Sequence, residues 1–137
     1  MKVYIAAPIK TAPQMREIRK SLGRNGIEVT SRWIDQPSEK VGYDNVTREF
    51  LRGASVLDLE DVDAADVLVH FQLYPSGGAS FEGGYALAKG KRVIVIGKFC
   101  HVFNVHPDIE FYEVESSDVA ELDQYINIAK EVLHGSR

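Results

Sequence analysis

The sequence lacks the features that mark secreted, membrane-spanning and disulfide-bonded proteins. Cys100 is the one cysteine among 137 residues, so no disulfide can form within the chain, and a reducing compartment is expected. No apolar run approaches the roughly 20 residues that a membrane span needs. The first residues enter a predicted strand without the basic and apolar regions of a signal peptide. We therefore expect a cytoplasmic protein with no membrane partner.

Several ligand-binding signatures are also absent. A net charge of -4 is not typical of proteins that bind a nucleic-acid polymer, and the basic residues between positions 10 and 24 are interpreted as the solvated face of a helix. Neither GxGxxG nor GxxxxGK[ST] occurs, which excludes the common dinucleotide and P-loop fingerprints. The acidic cluster over residues 58–63 has no histidine or cysteine to complete a metal site. We expect neither a metal nor an organic cofactor.

Apolar runs of strand length alternate with segments of helical spacing along the chain. Strands are predicted over residues 2–7, 27–33, 66–71, 92–96 and 109–114. Helices are predicted over residues 12–25, 44–62, 80–89 and 117–133, the second interrupted near Gly53 and the last capped by Ser116 or Ser117. The alternation predicts one α/β domain over residues 1–137. We expect a flavodoxin-like three-layer sandwich whose five-stranded parallel sheet has the order 2-1-3-4-5.

In such a sheet, ligands bind beyond the carboxyl ends of the strands where the strand order reverses, here between strands one and three. The loops at residues 7–13 and 72–80 face this crevice. Ser80 is predicted to cap the following helix, which places Glu82 in the first turn, where the helix dipole favours an ionised carboxylate. Such a carboxylate is a candidate nucleophile or base. Glutamate is also common in first turns for the same dipole reason, so the residues alone leave both interpretations open.

The acidic cluster over residues 58–63 lies at the end of a predicted helix. Carboxylates at a helix C-terminus oppose the dipole, so one of them is expected to have another role. Asp58 would project toward the mouth of the crevice if the helix ends near it. The alternative is an ordinary solvated helix end.

Several segments, taken in order, resemble the nucleoside 2-deoxyribosyltransferases and the related nucleotide N-glycosidases. They are residues 3–6, residues 26–33, the pair Asp58-Leu59 with residues 64–69, and a Gly-rich loop that leads to Glu82 and residues 84–93. The similarity runs from the first strand to about Asp108. It implies cleavage or transfer at the N-glycosidic bond of a (deoxy)nucleoside 5′-monophosphate or nucleoside.

The resemblance implies a role for each of three catalytic residues. Glu82 is similar to the family's nucleophile, which attacks the anomeric carbon and forms a covalent sugar ester. Asp58 is similar to the aspartate that assists the departing or arriving base. Tyr4 is similar to the tyrosine that donates a hydrogen bond to the nucleophile and orients it. The resemblance also implies a homodimer or a larger homo-oligomer.

Ser76 lies six residues before Glu82, and the position bears on the substrate. It resembles an aspartate in the nucleoside transferases and a serine near the 5′-phosphate in the nucleotide hydrolases. Because a hydroxyl can donate to a phosphate that a carboxylate would repel, we expect a monophosphate. The substrate-binding residues expected are Ser76, Gly78, Ser80, Ala7, Pro8, Lys10, Trp33 and Asn104. The alternative function is a non-catalytic nucleotide-binding or sensing module on the same fold.

Overall fold

The computed structural model describes residues 1–36, 46–115 and 122–134, and its centre is one five-stranded sheet. The strands are β1 (Lys2–Ala6), β2 (Glu28–Val29), β3 (Val67–Gln72), β4 (Arg92–Gly97) and β5 (Ile109–Glu113). They run parallel in the order β2-β1-β3-β4-β5, which confirms the predicted topology. Every residue of β3 is buried, as expected for a parallel sheet covered on both faces.

Two pairs of helices cover the sheet. The helices are α1 (Ala12–Gly23), α2 (Arg48–Ala64), α3 (Gly77–Ala88) and α4 (Leu122–His134). α1 contacts α4, and α2 contacts α3, which gives the outer layers of the predicted sandwich. None of the helices within the described ranges is long and apolar enough to span a bilayer.

The second helix is continuous, so the predicted interruption near Gly53 is wrong. Thr47 caps it, because its hydroxyl accepts the Phe50 N–H at 3.1 Å. The first positions of the predicted helix over 44–62 fall partly outside the described residues. So do Ser116 and Ser117, the predicted caps of the last helix.

The second strand is much shorter than the predicted range of 27–33. After Val29 the chain leaves the sheet and forms a 3₁₀ turn over Arg32–Asp35. Side chains replace the missing strand pairing, since Ser31 Oγ accepts the Ile5 N–H at 2.6 Å and Trp33 Nε1 donates to the Ile5 carbonyl at 2.7 Å. The turn is thereby fixed against β1.

Two residues of the basic stretch also hold this turn. Arg16 donates to the Ile34 carbonyl at 2.9 Å, and Arg19 makes a bidentate pair with Asp35 at 2.7 and 2.8 Å. The interpretation of this stretch as a purely solvated face is therefore wrong for Arg16 and Arg19. They join α1 to the 3₁₀ turn.

Candidate active site

A cavity of about 360 Å³ opens at the carboxyl edge of the sheet, beside β1 and β3. It lies at the reversal of strand order, where a ligand site is expected in this kind of sheet. Its wall is largely apolar and includes Ile9, Trp33, Phe50, Leu51 and Ala54. The polar side chains on the wall are Gln36, Ser55, Asp58, Ser76 and Glu82. An apolar wall with a few convergent polar groups is typical of a small-molecule site.

Glu82 extends from α3 to the cavity, and a hydrogen bond from the first strand fixes its position. The hydroxyl of Tyr4 donates to Glu82 Oε2 at 2.5 Å. Tyr4 itself is fully buried in β1, and burial together with the carboxylates of Glu82 and Asp58 raises its pKa far above the usual range. Tyr4 therefore stays protonated and acts only as a donor to Glu82.

Asp58 faces the same cavity from α2. The helix continues past Asp58 to Ala64, so Asp58 projects sideways from the helix rather than from its end. Its Oδ1 atom is buried and has no hydrogen-bond partner among the described residues. A buried carboxylate oxygen without a partner is costly to desolvate, which makes it a candidate for contact with a bound ligand.

The carboxyls of Asp58 and Glu82 interact with each other and both bind protons unusually well. Burial raises the pKa of Glu82 to about 8; the Tyr4 hydrogen bond opposes this, and the Asp58 charge adds to it. Burial also raises the pKa of Asp58 to about 6, helped by the charge of Asp61. At neutral pH the pair therefore holds one proton between its two carboxyls. One carboxylate and one carboxylic acid thus face the same cavity.

The start of α3 corrects two expectations about Glu82. The helix begins at Gly77 and its cap is Ser76, whose hydroxyl accepts the Ala79 N–H at 3.4 Å, so the predicted cap Ser80 lies inside the helix. Glu82 is consequently in the second turn rather than the first. The dipole does not keep it ionised, because desolvation dominates its surroundings.

The structure brings together some of the predicted substrate-binding residues but not all of them. Ala7, Trp33, Ser76 and Gly78 line the cavity with Asp58 and Glu82. The other four predicted residues, Pro8, Lys10, Ser80 and Asn104, lie outside its wall.

Each of these four has a different environment. Pro8 is buried and Lys10 is exposed on the 3₁₀ turn after β1. Ser80 lines a second cavity on the other side of α3. Asn104 is fully buried, and its side-chain amide pairs with that of Gln72 at 3.1 Å in both directions.

Sequence reasoning missed the wall that α2 contributes. Phe50, Leu51, Ala54 and Ser55 precede Asp58 by eight, seven, four and three positions and line the cavity with it. Residues at these spacings share one face of a helix. Helical spacing counted back from Asp58 would have found them.

Among the residues that the structure describes, no three histidine, cysteine, aspartate or glutamate side chains gather closely enough to hold an ion. The polar groups that the described part of the wall offers are carboxyls, hydroxyls and the amide of Gln36.

Comparison with known proteins relates the chain to one family of enzymes. No family model matches the chain. A Thermofilum pendens protein named "putative 2′-deoxynucleoside 5′-phosphate N-hydrolase 1" is 31% identical over 100 residues, which cover 70% of this chain and 67% of that protein. The chain belongs to the nucleoside 2-deoxyribosyltransferase and nucleotide N-glycosidase family. Enzymes of this family cleave or transfer N-glycosidic bonds.

Two solved structures of the family share the fold. A Clostridium botulinum CMP N-glycosidase superposes with a TM-score of 0.64 at 17% identity, over 95% of this chain and 99% of that one. A 2-deoxyribosyltransferase of Bacillus psychrosaccharolyticus superposes with a TM-score of 0.61 at 23% identity, over 89% of this chain and 96% of that one. At these identities the likeness is one of fold.

Proposed function

We propose that this N-glycosidase-family chain cleaves or transfers the N-glycosidic bond of a (deoxy)nucleoside 5′-monophosphate or nucleoside through a covalent ester on Glu82. The observation that carries the proposal is the facing pair of Asp58 and Glu82 in one cavity, with Tyr4 bonded to Glu82. Paired carboxyls of opposite protonation are the apparatus of retaining glycoside cleavage.

In the first step, an oxygen of ionised Glu82 attacks the anomeric carbon of the sugar. The bond between that carbon and the base nitrogen breaks, and its electron pair leaves with the base. Protonated Asp58 gives its proton to the base, so that a neutral base departs. The Tyr4 hydroxyl stays hydrogen-bonded to one oxygen of Glu82 and orients the carboxyl group, while the ester forms at the other oxygen.

In the second step, ionised Asp58 removes a proton from water, and the water oxygen attacks the anomeric carbon. The ester bond breaks, Glu82 leaves as a carboxylate, and Asp58 is protonated again. An incoming base nitrogen in place of water gives transfer instead of hydrolysis. Either route returns both carboxyls to their starting states.

The pair holds the one proton that the proposed roles need, but not yet on the acid. At neutral pH the higher pKa of Glu82 places the proton mainly on Glu82 in the free protein, whereas the first step needs it on Asp58. Positive charge developing on the sugar beside Glu82 favours its ionised form, which moves the shared proton to Asp58. The apolar part of the wall, with Trp33 and Phe50, fits the flat face of a base.

We favour a monophosphate because of the start of α3. Ser76 and the N–H groups of Gly77 and Gly78 lie at a helix N-terminus, which attracts phosphate. The name of the Thermofilum pendens relative specifies a 5′-phosphate substrate. None of the lining residues in the described part of the chain is lysine or arginine, so the helix terminus would carry most of the phosphate binding.

The decisive experiment is chromatography of nucleosides and their monophosphates after incubation with the protein, with and without an acceptor base. Free base should appear with the parent protein and not with Glu82→Ala or Glu82→Gln. A peptide containing Glu82 should gain the mass of one sugar or sugar phosphate. Tight binding without base release would instead identify the non-catalytic nucleotide-binding module.

The phosphate preference has its own test. Ser76→Asp places a carboxylate at the cap, where it still accepts the Ala79 N–H but repels a phosphate. We expect turnover of monophosphates to fall while turnover of nucleosides is retained. Equal turnover of both substrate classes by the parent protein would remove the case for Ser76.

We also propose that residues 1–137 form one cytoplasmic domain that assembles into a homodimer or larger oligomer. Four apolar side chains that line the second cavity, or adjoin its lining residues in sequence, are each more than half exposed: Phe81, Val102, Phe103 and Val105. Together they form a surface that is apolar enough to bind another copy of the chain. Light scattering should give a dimer or larger mass for the parent protein and a monomer for Phe81→Asp. A monomeric parent protein would contradict this proposal.

A further inference from the structure

An ion pair between the buried carboxylate of Asp61 and the exposed guanidinium of Arg32 adjoins residues of the cavity wall. Asp61 is 5% exposed, although it carries a charge. It accepts the backbone N–H of Arg32 at 2.9 Å and the Arg32 Nε–H at 2.9 Å, and a terminal guanidinium nitrogen lies 2.8 Å from Oδ1. Neither residue lines the cavity. A buried carboxylate with this many charge-assisted bonds is fixed in one position.

The pair connects two walls of the cavity. Asp61 lies one turn beyond Asp58 on α2, and Arg32 begins the 3₁₀ turn in which Trp33 follows. A second bond runs beside the ion pair, since the Thr30 hydroxyl donates to the Asp61 carbonyl at 2.8 Å. The segment at residues 30–32 is therefore tied to α2 through both the side chain and the backbone of Asp61.

Trp33 is fixed from the opposite side as well. Its indole N–H donates to the Ile5 carbonyl of β1, so the ring cannot turn without losing this bond. With the Asp61–Arg32 pair intact, the separation between Trp33 and Asp58 is set by α2, β1 and the turn together. These two residues line the same cavity from different elements.

We propose that Asp61 and Arg32 are a positioning pair for the N-glycosidic reaction, which holds Asp58 at a fixed place opposite Trp33. This inference rests on the proposed function of Asp58 as the proton donor to the base. Asp61 and Arg32 act through Asp58 and Trp33 and do not touch the substrate.

The charges around Asp58 give the pair a measurable signature. Asp58 is surrounded by Asp61 on its own helix, Glu82 on α3, Tyr4 on β1 and Arg32 on the turn. The charge of Asp61 raises the pKa of Asp58, whereas the charge of Arg32 lowers it. Removing one or the other charge should therefore shift the titration of Asp58 in opposite directions.

The experiment measures base release against pH for Asp61→Asn and Arg32→Gln. The acid limb of the profile is the part where the rate rises with pH, and it follows the titration of Asp58. This limb should move to lower pH in Asp61→Asn and to higher pH in Arg32→Gln. Both variants should also lose on the order of tenfold in kcat, because displacement of a catalytic group from its productive position is costly. A role in folding alone would lower kcat or the yield of protein without opposite shifts of the limb.

Two further variants separate charge from geometry. Arg32→Lys keeps the positive charge but loses the bidentate bonding, so kcat should fall while the limb stays in place. Arg19→Gln breaks a different ion pair of the same turn, between Arg19 and Asp35, neither of which shifts the pKa of Asp58. It should leave the limb in place.

The outcomes distinguish this inference from the proposed function. If the parent protein releases no base from any substrate, the proposed function fails and the pair has no reaction to assist. If the parent protein is active but Asp61→Asn and Arg32→Gln behave like Arg19→Gln, the positioning pair is overturned and the proposed function stands. Limb shifts of the same sign in both variants would also overturn it.

Discussion

The Tyr4 hydroxyl donates to Glu82 Oε2 at 2.5 Å, across 78 positions of the chain. The bond joins the middle of a central strand to the second turn of α3. Tyr4 is fully buried, so its ring cannot follow Glu82 if the helix shifts. The position of the carboxyl is thus set by the sheet as well as by its own helix.

Tyr4→Phe should slow the reaction while preserving the fold. The change removes the one hydroxyl and leaves the ring to fill the core. Because this bond lowers the pKa of Glu82, its loss should move the alkaline limb of the rate profile to higher pH. A bond to a carboxylate is worth about 1.5–3 kcal/mol, so we expect kcat to fall about 10- to 100-fold. An unchanged kcat and limb would show that Tyr4 does not orient Glu82.

The rate of base release should show a bell-shaped dependence on pH. The pKa values of about 6 for Asp58 and about 8 for Glu82 bound the range in which the pair holds one proton. Below this range both carboxyls are protonated and no nucleophile is available, and above it no acid remains. A maximum near neutral pH in kcat is the expected result. Activity that rises steadily with pH would contradict the role of a protonated carboxyl.

Glu82→Gln should make the fold more stable at alkaline pH. Burial raises the pKa of Glu82 from its ordinary 4.5 to about 8, so the folded state binds a proton that the unfolded state has lost. The stability of the parent protein therefore falls as pH rises from about 4.5 to about 8. Glutamine does not titrate and can still accept the Tyr4 hydroxyl. The Tm difference between variant and parent should grow over this range, and a constant difference would be evidence against the buried charge.

His70 should make the protein sensitive to acid. Burial, together with His101, lowers the pKa of His70 to about 4, so the folded state keeps it neutral while the unfolded state binds a proton below about 6.5. The contribution of His70 to stability is therefore present above about 6.5 and is lost as pH falls toward 4. His70→Gln should flatten this part of the Tm profile. His134→Gln, at an exposed position, is the matched control and should follow the parent profile.

Gly97→Ala should destabilise the sheet. A Cβ at Gly97 would lie 2.8 Å from the Cβ of Gln72 and closer still to its backbone carbonyl oxygen, which cannot move without disturbing β3. We expect a loss of about 2 kcal/mol or more in the free energy of unfolding. Gly53→Ala, in the interior of α2 with open space around it, should instead gain about 0.5–1 kcal/mol. Denaturant unfolding of both variants tests these two predictions. A Gly97→Ala variant as stable as the parent protein would contradict the close approach of Gly97 to Gln72.

The sequence predicted the fold well because one strong signal repeats along the chain. Apolar runs such as those in β3 and β4 alternate with helical spacing, and this alternation leaves few possible topologies. The shortness of β2 was not predictable from local pattern. It results from Ser31 and Trp33, whose side chains bond to Ile5 on another strand.

The position of the candidate site was predictable, because the carboxyl-bearing residues and the sheet topology point to the same place. Glu82 and Asp58 carry carboxyls on two helices that flank the reversal of strand order. The prediction of Ser80 as the cap was wrong because Gly77 and Gly78 favour a loop locally, yet they form the first turn here. The Asp61–Arg32 pair joins residues that are 29 positions apart, and no local sequence pattern predicts such a contact.

The side-chain bonds of Ser31 and Trp33 have a consequence for self-association. An edge strand that ends early leaves the next strand with exposed peptide groups, which can template the addition of a foreign strand. Here β2 ends at Val29, but the N–H and the carbonyl of Ile5 are already occupied. The tryptophan that lines the cavity therefore also protects the sheet against aggregation through its edge.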